Sequence, residues 1–136
     1  MHKVLYKICQ YLQACHKVTA VWLYNSIDQG TDLVNSTINV AVLFESEVTV
    51  EERCNLCRDI GINVEKISGQ KVDVTDMETA SLFMQWQVRN TGKLVVEKDR
   101  KKRVDFDVRS RREYFDFLPV LERYRTAALH KKGVKE

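Results

Sequence analysis

Apolar residues recur along this chain with two periods, and each predicts a kind of element. In residues 3–16, Val4, Leu5, Ile8, Leu12 and Cys15 fall mostly three or four apart, one stripe of an amphipathic helix. Residues 18–24 and 38–44 are short β-branched and aromatic runs, the second almost continuously apolar, as in strands covered on both faces. Both are expected to be central strands. Between them Asp28, Gly30, Asp32, Asn35 and Ser36 favour turns, so the connection reads as a loop with room for one short helical turn. Thr49 followed by Glu52 predicts a capped helix carrying Cys54, Leu56, Cys57 and Ile60, with Gly61 where a terminating glycine would sit. Residues 62–67 and 71–75 then read as strands around a turn at Ser68 and Gly69, with Asp73 in the second. Thr75 and Glu78 repeat the capping signature ahead of Leu82, Phe83, Trp86 and Val88, and Gly92 closes that helix. Residues 93–97 predict a terminal edge strand. From about Val104, the spacing of Phe106, Tyr114, Phe117, Leu118, Leu121, Tyr124 and Leu129 predicts a long helix, interrupted or bent near Pro119 and fraying after His130. The sum is a mixed α/β (α+β) domain in which helices pack on a small sheet.

Length and composition narrow the class. A chain of 136 residues, 44% hydrophobic and 30% charged, fits one globular domain over residues 1–130 with a basic tail at 131–136. No apolar run reaches membrane-spanning length, and the amino terminus mixes polar and apolar positions, so the cytoplasm is the expected compartment and no membrane is expected. Cys9, Cys15, Cys54 and Cys57 are then expected as reduced thiols. Cys54 and Cys57 have zinc spacing, but they lie in a helical pattern with no second pair downstream, and they read as small hydrophobes. Charge is uneven: from Lys98 onward thirteen Lys or Arg face seven Asp or Glu, a local +6 against −3 for residues 1–97. That end reads as a solvated helix face more than as a nucleic-acid site, because its aromatics sit at helix-core spacing. His2, His16 and His130 are far apart and expected in solvent. Asp105 and Asp107 are expected to balance the surrounding cations, and Trp22, Trp86 and Tyr24 to serve core or interface.

The chemistry, if any, lies in residues 21–44. VWLYNS is followed by ten residues and then TINVAVLFE, and the later strand KVDVTDM carries an acid. With FMQWQVRNTGKLVVEKD and REYFDFLPVLERYR, these segments resemble, in order and spacing, the minimal nucleotidyltransferases that prokaryotes pair with a HEPN-domain partner as antitoxin and toxin. The resemblance spans about residues 1–130. It implies a pocket in which Gly-Ser precedes two strand carboxylates at i and i+2, with a third acid on a neighbouring strand, holding magnesium and ATP for AMP transfer. Alternation puts i and i+2 on one face, and metal ions there neutralise phosphate charge.

Against that pattern this sequence keeps Ser26 and Asp73 and departs at three positions. Asn25 stands for the glycine, Thr37 for the first acid and Asn39 for the second. Magnesium usually relies on one or two carboxylates plus phosphates, so Asp73 is a poor anchor by itself. The resemblance therefore implies a vestigial pocket of Asn25, Ser26, Thr37, Asn39 and Asp73, with no catalytic residue, metal or cofactor expected. Ser26 is the one candidate for weak nucleotide binding. The expected function is binding a HEPN-type ribonuclease partner, with Phe115, Phe117, Leu118, Tyr124 and the stretch Arg109 to Arg112 as interface candidates; self-association is a second option. The alternative is an active, magnesium-dependent adenylyltransferase that AMPylates its toxin, with Asp28 or Asp32 supplying a carboxylate.

Overall fold

The computed structural model describes residues 2–24 and 37–131. The two apolar runs form β1 (Val18–Tyr24) and β2 (Ile38–Phe44), antiparallel neighbours at the centre of a four-stranded sheet. β3 (Val72–Asp76) runs parallel to β2, β4 (Lys93–Glu97) runs antiparallel to β1, and the order is β3-β2-β1-β4. The central strands are covered on both faces, which is why their sequences are almost wholly apolar. Val21, Val40, Val42 and Phe44 join Ile8 and Leu12 of α1 (His2–Ala14) and Ile60 and Val64 of α2 (Val50–Ser68) in one core layer. Ala20, Trp22, Tyr24, Ala41 and Leu43 face the other way, with Val88 of α3 (Leu82–Thr91) and Phe106 of α4 (Arg100–Lys131). Sheet and helices thus make the expected mixed domain with a long C-terminal helix.

Several expected boundaries move. Leu5 is exposed, and Tyr11 joins the α1 stripe in its place. Thr49 and Glu52 do cap α2, the Glu52 amide donating to Thr49 Oγ1 at 3.2 Å. The helix does not stop at Gly61, however, and residues 62–67 are helical, not a strand. Leu56, Cys57, Ile60, Val64 and Ile67 form one continuous stripe against the sheet, so burial carries the helix past the glycine. A Cβ at Gly61 would lie 3.5 Å from Val74, an ordinary contact. Termination comes at Gly69, whose φ of 69° permits the left-handed cap and whose amide donates to the Glu65 carbonyl at 2.8 Å. Thr75 caps nothing; it belongs to β3, and Ser81 caps α3 by accepting from the Met84 amide at 3.1 Å. α4 runs through Pro119 as one helix of 32 residues, starting earlier than expected, at Arg100.

Gly92 ends α3 in extended conformation, with φ −82° and ψ 154°, so its need is spatial. A Cβ there would sit 2.5 Å from the Val88 carbonyl oxygen and 3.4 Å from the Trp22 Cβ. Gly92→Ala must push the α3 terminus off β1, and we expect a loss of about 1–3 kcal/mol in urea unfolding, typical of overpacking.

Candidate functional site

Strand register assembles the site. Across β1, β2 and β3, Tyr24, Asn39 and Asp73 stand in one row, because Tyr24 pairs with Asn39 and Asn39 with Asp73. The sheet is anchored at this end by the Ile38 amide, which donates to the Lys71 carbonyl at 2.9 Å. Alternation sends Asn39 to the same face as Ala41 and Leu43, the α3 and α4 side. Thr37, two residues earlier, is half-buried, and Asp73 is exposed. Asn39 itself is 6% exposed, and its Nδ2 has no hydrogen-bond partner among the described residues. The donor set at these positions is one hydroxyl, one amide and one carboxylate. Asn25, Ser26, Asp28 and Asp32 lie outside the described residues.

Sequence reading gave Tyr24 to core or interface and Thr75 to a helix cap; Tyr24 stands in this row, and Thr75 stands two residues along β3, opposite Ala41. The Tyr24 hydroxyl and Thr75 Oγ1 are hydrogen-bonded at 3.1 Å, reaching across β2 on the face where Ala41 offers little bulk. Burial raises the Tyr24 phenol above its ordinary pKa; the Thr75 hydrogen bond opposes this and the Asp73 charge adds to it. The phenol therefore stays neutral at physiological pH. The signal was available: Tyr24 precedes Asn25, and Thr75 is at i+2 from Asp73, so both share the site's face.

Other candidates scatter. Cys54 is exposed and Cys57 half-buried on α2, and burial pushes the Cys57 thiol up to about 11, a protonated and poorly nucleophilic group. Among the described residues no cluster of three or more His, Cys, Asp or Glu side chains is arranged to hold a metal ion. His16 is exposed. Asp107 pairs with Arg103 at 2.8 Å, and Arg103 also reaches Glu97 at 2.8 Å, so part of the basic end is neutralised locally. Trp22 is core, whereas Trp86 is only half-buried. No helix among the described residues is long and apolar enough to cross a membrane.

A buried polar lock between α3 and α4 was not anticipated. Gln85 Nε2 donates to the carbonyls of Met77 at 3.0 Å and Ala80 at 3.1 Å, and Gln85 Oε1 accepts from the Ser110 hydroxyl at 2.5 Å. Arg89 donates to the same hydroxyl, and burial lowers its guanidinium pKa while the Asp107 charge opposes that shift. Gln85 and Ser110 are buried where an apolar pair would be the default.

Comparison places this geometry. The chain is similar to a structure of the MntA-HepT toxin-antitoxin, with 18% identity over 98% of this chain and 100% of that one and a TM-score of 0.67. It is similar to a toxin-antitoxin structure with AMP-PNP, at 20% identity, 97% and 98% coverage and a TM-score of 0.63. A third is the tri-AMPylated Shewanella oneidensis HEPN toxin in complex with MNT antitoxin, at 17% identity, 98% and 92% coverage and a TM-score of 0.58. Likeness at these identities is likeness of fold. Among curated protein sequences none matches the chain. The family signature of "Polymerase beta, Nucleotidyltransferase" matches residues 6–101, from α1 through the row of Tyr24, Asn39 and Asp73 to the start of α4. The chain belongs to that nucleotidyltransferase family.

Proposed function

We propose that this protein is an antitoxin-type member of the family that binds a HEPN-type toxin and does not transfer AMP. The observation that carries the second half is the strand-end row itself: Asn39 is buried in register with Asp73 and brings an amide where the family pattern calls for an acid. Thr37, immediately before the same strand, brings a hydroxyl, so the described part of the site offers magnesium one carboxylate. That donor set does not fit a hard dication that keeps its hydration shell unless carboxylates and phosphates replace it.

Binding is supported separately. Similar folds occur in toxin-antitoxin complexes, one of them with a HEPN toxin. In this chain α4 leaves the large apolar side chains of Phe115, Phe117, Val120 and Tyr124 exposed.

Co-expression with a candidate HEPN-type toxin tests both halves. The expected result is a stable complex and, with labelled ATP and magnesium or manganese, no label on the partner. Label on the partner that disappears in Asp73→Ala would establish the active adenylyltransferase instead.

A further inference from the structure

Away from the strand-end site, a cleft of about 400 Å³ lies between α3 and α4. Trp86 and Tyr114 line it and stack with ring centroids 5.8 Å apart; Phe83, which is not part of the lining, stacks on Trp86 at 5.7 Å, and both pairs lie within about 23° of parallel. Arg89 and Asn90 of α3 and Arg111, Phe115 and Leu118 of α4 complete the lining. Arg103 and Arg109 are ion-paired with Glu97, Asp107, Glu78 and Glu113, whereas among the described residues neither Arg89 nor Arg111 has a carboxylate within ion-pair distance.

We infer that this cleft is the anchor point for the HEPN-type partner, taking an acid-bearing helix of that protein, an inference that rests on the binding reading above. A large apolar side chain of the helix seats on the Trp86 and Tyr114 rings, and a carboxylate about one turn away pairs with Arg111 at the rim and Arg89 in the wall. Buried aromatics beside Arg are the composition that concentrates binding energy in protein interfaces. The receiving surface continues from Tyr114 through Leu118 and Leu121, a three- and four-residue ridge that suits a helix laid along it. A nucleic acid fits less well. Beyond Tyr114 the ridge through Leu118 and Leu121 is aliphatic and offers bases no π face.

The test uses the full chain and the co-expressed partner, with Arg111→Glu and Phe115→Ala, both at exposed positions, and Lys66→Glu on α2 as a matched charge reversal elsewhere. Each variant is first shown to melt like the parent. Expected is a rise of about tenfold or more in Kd for the two cleft variants, a weaker salt dependence for Arg111→Glu, and no change for Lys66→Glu. If the parent binds and the cleft variants bind equally well, the cleft inference is wrong while the partner reading stands. If the parent itself forms no complex, the partner reading falls and the inference with it. Single-stranded RNA captured by the free chain and lost in Arg111→Glu, with partner binding intact, would reassign the cleft to nucleic acid.

Discussion

Asn39→Asp is expected to destabilise the metal-free protein by about 3 kcal/mol, the scale of an uncompensated buried charge. The new carboxylate would replace an amide that is 6% exposed and would face Asp73 across the β2–β3 ladder. Two like charges in cross-strand register repel, and burial strengthens the repulsion. The informative arm is magnesium. The parent chain should show the same urea midpoint with and without millimolar magnesium, whereas Asn39→Asp, and more so the Thr37→Asp/Asn39→Asp pair, should recover stability when the ion is added. Any ligand that binds only the folded state raises stability by mass action, about 2.7 kcal/mol at a hundred times its Kd. A parent chain that gains as much from magnesium as the double variant would show that the site holds metal as it is.

Gln85→Leu should cost about 3–5 kcal/mol even though leucine is the more apolar residue. The substitution leaves the Ser110 hydroxyl without its acceptor and the Met77 and Ala80 carbonyls without their side-chain donor, each a buried polar group worth about 1–3 kcal/mol when left unpaired. Arg89 would retain its bond to Ser110, so the network is cut at one node. Thermal unfolding should report a fall of roughly 10 °C for a domain of this size. Because the lock joins α3 to α4, partner binding should weaken in the same variant. Gln85→Leu/Ser110→Ala removes the orphaned hydroxyl but leaves the Met77 and Ala80 carbonyls unpaired and takes away the acceptor of Arg89, so it should recover at most part of the loss. An unchanged melting point in the single variant would mean the lock is not structural.

The two central strands, the β3 acid and the edge strand were legible because their evidence is local. β1 and β2 announce themselves by runs that only a doubly covered strand tolerates, and i, i+2 alternation places Thr37 and Asn39 on one face without coordinates. The helix ends were less legible. Gly61 and Thr75 carry correct local signatures for a stop and a cap, and both signatures lose to packing: a stripe ending in Ile67 for the first, strand pairing of Thr75 with Ala41 for the second. Gln85 escaped notice because a glutamine on a helix looks like solvent-facing filler until its three partners are known.

The amino-acid sequence by itself determined which donors the strand-end site contains: the identity of Thr37, Asn39 and Asp73 is covalent, and no arrangement of the chain adds a charge to a hydroxyl or an amide. It also determined the layering, because strand and helix periods state which residues must be covered. What covers them was decided only by the tertiary structure. Burial belongs to pairs of surfaces, so the depth of Asn39, the reach of Tyr24 to Thr75, the Gln85 lock and the placing of Arg89 and Arg111 beside aromatic rings all depend on elements far apart in the chain meeting at one place.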